Sequence, residues 1–167
     1  MGKTILYVLD AEHYLEGIIR IFKKEIKGRP TIYVSTNKPY SHLQESFKKA
    51  KVATEKIFFI DCISKEVGEG GKEPDNALFI DTPQNLTAMS IAISESVKHL
   101  QGNPTLFFDS LSTLLLYHDA NAIGRFSNFL INKMRVSGVD TIILALESDM
   151  NKEVLRKIET IADEVKR

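Results

Sequence analysis

The stretch Thr105-Leu-Phe-Phe-Asp-Ser-Leu-Ser-Thr-Leu-Leu-Leu116 decides the fold that we expect for this chain. Its apolar run, residues 106–108, is typical of a strand that is buried on both faces, as in a parallel sheet. Asp109 closes the run, so we expect its side chain at the carboxyl end of the strand. α/β proteins bind their ligands at that edge of the sheet. Whether Asp109 belongs to a ligand site depends on what the other strand ends supply.

Apolar runs alternate with helical patterns along the whole chain. Strands are predicted over residues 4–9, 31–35, 56–60, 77–80, 105–109 and 140–146. Helices are predicted over residues 15–26, 42–50, 86–100 and 123–134, with a charged amphipathic helix running through Ile161 and Ala162 toward the C-terminus. Ser41 is the expected cap of the second helix. This alternation predicts an α/β fold of three layers with a mostly parallel, doubly wound sheet. We expect a single domain over residues 1–167, with residues 64–76 as a loop insertion.

Composition excludes several classes of partner. Lys plus Arg equals Asp plus Glu at 22 each, so no global field attracts the chain to nucleic acid or to an anionic membrane. The chain has a single cysteine, Cys62, which excludes an internal disulfide. The lack of disulfides is typical of proteins in a reducing cytosol. No apolar run approaches the length of a membrane-spanning helix, and the N-terminus shows no secretory signal. We therefore predict a cytoplasmic protein with no nucleic acid and no membrane among its partners.

Two stretches are candidates for binding phosphate. Gly2-Lys3-Thr4 matches the end of a phosphate-binding loop, but a strand follows it where a helix is needed, so a frayed terminus is expected. The correct position for such a loop follows the first strand, at residues 10–17. That segment holds three carboxylates, one glycine and no lysine. Carboxylates there would repel a triphosphate, so we predict that no phosphate loop is present.

Five of the six predicted strands end at or just before an acidic residue, and the strand over residues 31–35 does not. The set comprises Asp10, Asp61, Asp81, Asp109 and Glu147. If the strands are parallel, these carboxylates share one edge of the sheet, where they could form a divalent-metal or Mg-nucleotide site. The commoner alternative is that each carboxylate accepts hydrogen bonds from the amides that open the next helix or turn. For Asp109, that turn would be residues 110–112.

Other candidate groups lack the neighbours that their chemistry needs. Ser110 and Ser112 have no Gly-x-Ser-x-Gly elbow, so a hydrolase nucleophile is not expected. Cys62 follows a buried strand without a second cysteine and is predicted to be a core residue. The histidines show no metal-ligand spacing; they are His13, His42, His99 and His118. We predict no catalytic residue and no metal site.

Taken together, three stretches resemble the RecA superfamily, and within it the KaiC-like branch. They are residues 32–35 after a Gly-x-Pro, residues 106–112, and residues 161–165, and the resemblance covers most of the chain from about residue 4 onward. It implies a RecA-like P-loop NTPase core. In that family, the aspartate that matches Asp109 is the Walker B residue, which helps to hold the Mg²⁺ of bound ATP.

Compared with that family, this chain lacks residues that the ATPase chemistry needs. Family ATPases carry glutamates just after the second strand, where they orient the attacking water, but this chain has Thr36 and Asn37 there. Without those glutamates and the phosphate loop, an ATPase loses both the positioning of its reactants and the stabilisation of charge in the transition state. We therefore predict an inactivated ATPase domain without a bound cofactor, in which Asp109 is a vestigial Walker B residue. Similar archaeal members are thought to act in signal transduction.

The expected role is regulatory or scaffolding, and the family assembles as rings and filaments. The predicted partners are proteins, either further copies of this chain or an active RecA/KaiC-like relative. One alternative is a Mg-nucleotide-binding domain or weak ATPase centred on Asp109. Another is a receiver-like signalling domain with Asp10 and Asp61 in an acidic pocket, although that fold expects a lysine where Glu147-Ser-Asp149 stands.

Overall fold

The computed structural model describes residues 1–148 and 152–167, and its centre is one seven-stranded sheet. The strands are β1 (Thr4–Leu9), β2 (Thr31–Ser35), β3 (Ile57–Asp61), β4 (Ala77–Phe79), β5 (Thr105–Asp109), β6 (Thr141–Leu146) and β7 (Glu164–Lys166). They lie in the order β4-β3-β2-β5-β6-β1-β7, and every pairing is parallel. The predicted α/β fold with a parallel sheet is confirmed. A receiver fold has the strand order 2-1-3-4-5, so the receiver-like alternative is wrong. Asp149, which that alternative invoked, lies outside the described residues.

Helices cover both faces of the sheet. They are α1 (Tyr14–Ile21), which continues as a π-helical turn (Phe22–Ile26), α2 (Tyr40–Lys49), α3 (Leu86–His99), α4 (Ala120–Val136) and α5 (Lys152–Glu159), with a 3₁₀ turn at Ser112–Leu116. Helices α1 and α2 pack on one face, and α3, α4 and α5 pack on the other. Alternate strand residues serve the two cores, so that Leu6 and Val8 belong to one and Tyr7 and Leu9 to the other. The predicted three layers are therefore present. In the described part of the chain, no helix combines the length and apolarity that crossing a membrane requires.

The start of α2 differs from the prediction. The helix begins at Tyr40, directly after Pro39, and Ser41 lies inside its first turn. The carboxylate of Asp61, at the end of the neighbouring strand β3, accepts the amide of Tyr40 at 2.7 Å. A helix start needs acceptors for its first amides, and here an acceptor comes from another strand. The prediction that Ser41 caps this helix is wrong for that reason.

The C-terminal segment also differs from the prediction. Helix α5 ends at Glu159, before Ile161 and Ala162, and the chain then forms the edge strand β7 beside β1. Two hydrogen bonds between Thr4 and Asp163 fix the start of this strand. The Thr4 amide donates to the Asp163 carboxylate at 2.7 Å, and the Asp163 amide donates to the Thr4 carbonyl at 2.9 Å. Because β7 is short and half-buried, it shows no apolar run in the sequence.

The first residues of the chain are packed rather than frayed. Gly2 is buried, and its amide donates to the carbonyl of Arg135 at 3.2 Å. A Cβ atom at this position would clash with the backbone of Val139. Gly2 therefore lies against the connection between α4 and β6, and Thr4 opens β1. The prediction of a frayed terminus is wrong, because this close backbone contact needs a glycine.

The order of the strands reverses direction at one point of the carboxyl edge of the sheet. From β2 the chain adds β3 and β4 on one side, and it then returns to add β5 and β6 on the other. Open α/β sheets bind ligands at such a switch point, outside the carboxyl ends of the diverging strands. Ser35 of β2 pairs with Asp109 of β5 at this point. The fold thus places Asp109 at the carboxyl edge of the sheet, as the sequence predicted.

Candidate functional site

The site centres on the carboxyl group of Asp109, which is fully buried. The hydroxyl of Tyr14 donates to Oδ1 at 2.5 Å, and the hydroxyl of Tyr33 donates to Oδ2 at 2.5 Å. Tyr14 is the first residue of α1, and Tyr33 lies in the middle of β2. Each oxygen of the carboxyl group therefore has a phenolic donor of its own.

The pleat of the sheet explains why these three side chains meet. Odd-numbered residues of β2 and β5 point to the face that α1 and α2 cover, so Tyr33, Phe107 and Asp109 lie on that face. The ring of Tyr33 stacks on Phe107 with 5.0 Å between centroids, which directs its hydroxyl toward the strand end. Helix α1 begins above the same face and supplies Tyr14. Strand register and helix position together build the cluster.

Burial dominates the electrostatics of the cluster. Burial raises the pKa of Asp109, and hydrogen bonds from Tyr14 and Tyr33 together with the charge of Lys38 oppose that rise. Burial and the neighbouring carboxylate also raise the pKa of both tyrosines. The Nζ of Lys38 lies 5.7 Å from the centre of the Tyr14 ring, on the outer side of the cluster. The donors that touch the carboxyl group are therefore neutral at ordinary pH.

Thr36, not Asp109, organises the turn that follows β5. The Thr36 amide donates to the Asp109 carbonyl at 2.8 Å, and the Thr36 hydroxyl donates to the Ser110 carbonyl at 2.9 Å and accepts the Ser110 amide at 3.1 Å. The Ser110 hydroxyl pairs with that of Thr113 at 2.7 Å, and the peptide bond between Asp109 and Ser110 is cis. The prediction that the Asp109 side chain caps residues 110–112 is wrong, because its oxygens face the two tyrosines.

The end of β1 meets the start of α1 through another carboxylate. Asp10 accepts the amide of His13 at 2.8 Å, and the Nδ1 atom of the same histidine lies 3.1 Å from the same oxygen. The bond from the His13 amide lowers the pKa of Asp10. An amide at the start of this helix, where a phosphate loop would bind its ligand, is thus used by the chain's own carboxylate.

The remaining strand-end acids do not converge on Asp109. Asp61 is buried and accepts the amides of Ile63 and Ser64 at 2.8 Å each, besides that of Tyr40. The more exposed acids form ion pairs, Asp81 with Lys65 at 3.1 Å and Glu147 with Arg167 at 3.9 Å. Within residues 1–148 and 152–167, no three His, Cys, Asp or Glu side chains are grouped to hold a metal ion. The capping interpretation is confirmed for Asp10 and Asp61.

The residues present do not fit a magnesium-bound triphosphate. A Mg²⁺ ion needs oxygen ligands that face it, but both oxygens of Asp109 accept hydroxyl groups inside the protein. A triphosphate needs helix amides and a cation, but the His13 amide is bonded to Asp10.

Several other candidates have ordinary structural positions. Cys62 is buried, and burial raises the pKa of its thiol. His118 lies against the carbonyl of Pro83, which is 3.3 Å from its Nε2 atom.

The sequence did not identify Tyr14 and Tyr33 as partners of Asp109. The signal that could have found Tyr33 is its place in an apolar buried strand, because a buried phenol needs a hydrogen-bond partner.

The fold of this chain, a parallel sheet covered by helices on both faces, has a counterpart among solved structures. It is similar to that of a KaiC-like protein from the hyperthermophilic archaeon Pyrococcus horikoshii OT3, with a TM-score of 0.66 and 18% sequence identity, over 98% of this chain and 69% of that chain. The fold predicted from the KaiC-like resemblance is thereby confirmed. The profile of the Family of unknown function (DUF7504) matches residues 2–165, and the chain belongs to that family. Among curated proteins, no sequence match was found.

Proposed function

We propose that this chain is a non-catalytic, degenerate KaiC/RecA-like domain of the cytoplasm. Its role is regulatory or scaffolding, in signal transduction, and it acts through protein–protein assembly. One observation carries the proposal. The carboxyl group at the Walker B position, Asp109, is buried, and tyrosine hydroxyls occupy both of its oxygens.

A metal ion would have to enter the closed Asp109 cluster. Mg²⁺ requires near-octahedral oxygen ligands at about 2.1 Å and gives up its waters reluctantly. To reach Asp109, the ion would have to open a buried cluster and compete with the hydroxyls of Tyr14 and Tyr33 for the carboxyl oxygens. Each displaced hydroxyl would lose a hydrogen bond inside the protein, at a cost of about 1–3 kcal/mol. The bonds of the closed cluster therefore oppose metal binding.

A triphosphate would meet negative charge at the start of α1. The segment between β1 and α1 contributes Asp10 and Glu12, and Glu16 follows in the first turn of the helix. Negative charge at this place repels a triphosphate, and the segment has no lysine to offset it.

Hydrolysis of a nucleotide needs a residue that positions the attacking water. The residue that directly follows β2 is Thr36, and its hydroxyl is already bonded to both the amide and the carbonyl of Ser110. A threonine in this arrangement does not accept a proton from water. Together, the closed Asp109 cluster, the acidic segment before α1 and the bonded Thr36 support a domain that kept the RecA-like fold and uses it for something other than hydrolysis.

Titration calorimetry with ATP and Mg²⁺, together with a phosphate-release assay, tests the loss of catalysis. We expect neither binding at micromolar concentrations nor turnover. The competing function is a Mg-nucleotide-binding domain or weak ATPase centred on Asp109. Micromolar binding that disappears in Asp109→Asn and persists in Asp81→Asn would overturn the proposal in favour of that function. Asp81 is a matched control, because it lies at the same edge of the sheet but is exposed.

Light scattering tests the assembly role. The pure chain should form a defined oligomer, or it should join a complex when mixed with an active KaiC-like protein. A monomer that joins no such complex would contradict assembly with itself or with a relative.

A further inference from the structure

A surface groove runs between α3 and α4, on the side of the sheet opposite the Asp109 cluster. It encloses about 680 Å³. Because α3 leads into β5 and α4 leads into β6, and these strands are neighbours, the two helices lie side by side. The residues that matter for binding are Leu86, Ile91 and Lys98 of α3 and Arg125, Phe129 and Lys133 of α4. We refer to this feature as the α3–α4 groove.

The walls of the groove expose large apolar side chains. Ile91 is 59% exposed and Phe129 is 52% exposed. On α4, the neighbouring Phe126 and Leu130 point into the core, so Phe129 is an aromatic residue on the solvent side of an amphipathic helix. Single exposed apolar residues are ordinary, whereas exposed apolar side chains gathered at one groove are a feature that binding sites share.

The rim of the groove carries positive charge. Lys98 is paired with Glu95 at 3.3 Å, whereas Arg125 and Lys133 have no carboxylate within 4.0 Å in the described part of the chain. The Nζ of Lys133 lies 5.5 Å from the centre of the Phe129 ring, so a cation adjoins the exposed aromatic surface. Three cations and one carboxylate line the groove in a chain whose net charge is zero. This local excess favours a negatively charged occupant.

We propose that the α3–α4 groove binds an acidic amphipathic helix of a partner protein. The inference rests on the proposed function as a protein-binding module. Arg125, Phe129 and Lys133 follow one another at intervals of four residues, so they form a straight stripe of about 12 Å. A helix laid along this stripe would place apolar side chains one turn apart against Ile91 and Phe129. Its flanking carboxylates would face Arg125 and Lys133.

The shape of the surface favours a helix over a lipid bilayer. A concave groove between two helices receives a convex rod, which is the helix-in-groove mode of recognition. A bilayer would instead require the apolar side chains to protrude from a flat or convex face. Ile91 and Phe129 form the walls of a concavity.

Fluorescence anisotropy with a synthetic probe tests the inference. The probe is a fluorescein-labelled helical peptide of about 18 residues, with leucines along one face and glutamates along the others. The control peptide has lysines in place of the glutamates. We expect the acidic peptide to bind with micromolar affinity and the basic peptide to bind at least about tenfold more weakly. Phe129→Ser and Lys133→Glu should each weaken the acidic peptide about tenfold. Lys24→Glu, the same charge change on the opposite face of the sheet, should leave binding unchanged.

Amide chemical-shift mapping locates the bound peptide. Shifts confined to α3 and α4 support the inference, whereas shifts elsewhere overturn it. Equal binding of both peptides, or no binding of either, also overturns it. Binding of phosphatidylserine vesicles in place of the peptide would assign the groove to a membrane. A dimer that Phe129→Ser dissociates would assign the groove to a second copy of the chain. Failure of the proposed function is seen separately, as binding or hydrolysis of ATP, and it leaves the peptide result intact.

Discussion

Tyr33 donates its hydroxyl to Asp109 from two residues back on the adjacent strand, and the bond measures 2.5 Å inside a core that excludes solvent. Tyr14 supplies the matching bond to the other oxygen from the start of α1. A buried carboxyl group without partners would cost several kcal/mol. The two tyrosines offset that cost, and they also tie α1 and β2 to the end of β5. The cluster therefore joins three elements that are distant in sequence.

We expect Tyr33→Phe to destabilise the fold by about 1–3 kcal/mol, because it leaves a buried carboxyl oxygen without its donor. Tyr14→Phe should have a similar effect. Urea unfolding followed by circular dichroism measures both.

Tyr40→Phe is the matched control for these variants. Its hydroxyl bonds to the side chain of Asn76 in a half-buried place, so its loss should cost less than either cluster tyrosine. Equal losses for Tyr33→Phe and Tyr40→Phe would contradict a special role for the Asp109 cluster.

The stability of the protein should depend on pH through Asp109. Because burial raises the pKa of Asp109 in the folded state, that state holds the proton more tightly than the unfolded chain does. The contribution of Asp109 to the free energy of unfolding is fully present below about pH 4, and it is lost as the pH rises through the folded-state pKa. Asp109→Asn lacks this loss, so the variant should gain stability relative to the wild type as the pH rises. Urea unfolding from about pH 3 to pH 8 measures the difference.

Asp163→Asn provides a control of opposite sign. The amide of Thr4 and the guanidinium of Arg135 lower the pKa of Asp163, so its contribution is present above the unfolded pKa and is lost as the pH falls through the folded pKa. This variant should lose stability relative to the wild type as the pH rises. A pH-independent difference between Asp109→Asn and the wild type would show that the pKa of Asp109 is not raised.

Asp61→Ala should destabilise the protein by at least about 3 kcal/mol. The substitution removes the acceptor for three amides. One is the amide of Tyr40 at the start of α2, and the others are those of Ile63 and Ser64 in the turn after β3. Buried amides without an acceptor cost about 1–3 kcal/mol each. Thermal and urea unfolding measure the loss. Asp81→Ala, at the same edge of the sheet but exposed, should match the wild type. Similar losses for the two variants would contradict the capping role of Asp61.

Gly2→Ala should cost about 1–3 kcal/mol, because the added methyl group would clash with the backbone of Val139 and force β1 away from the α4–β6 connection. Differential scanning calorimetry measures the shift. Gly71→Ala is the control, because a Cβ atom there meets no other atom within 4 Å. An unchanged melting temperature in Gly2→Ala would mean that the first residues are not packed as the structure describes them.

The sequence located what local patterns encode, and it missed what distant residues share. The apolar run before Asp109 predicted a buried parallel strand and the position of that residue at the carboxyl edge. The partners of Asp109 were not predictable in this way, because Tyr14 lies 95 residues away and Tyr33 lies 76 residues away. The same limit explains Asp61, which serves the start of α2 from another strand. Hydrophobic periodicity shows on which face of its own helix or strand a residue lies. The site is formed by residues from different elements, so periodicity does not reveal it.

The position of β1 in the sheet has a consequence for the synthesis of the chain. β1 is made first, but its neighbours β6 and β7 are the last two strands, and about 130 residues separate Leu9 from Thr141. At typical ribosomal speeds, roughly 7 to 26 s pass before β6 is available to pair with it. During that interval, the backbone N–H and C=O groups along both edges of β1 have no native partner. The sheet is therefore complete only after β6 and β7 have been made, and until then β1 lacks both of its neighbours.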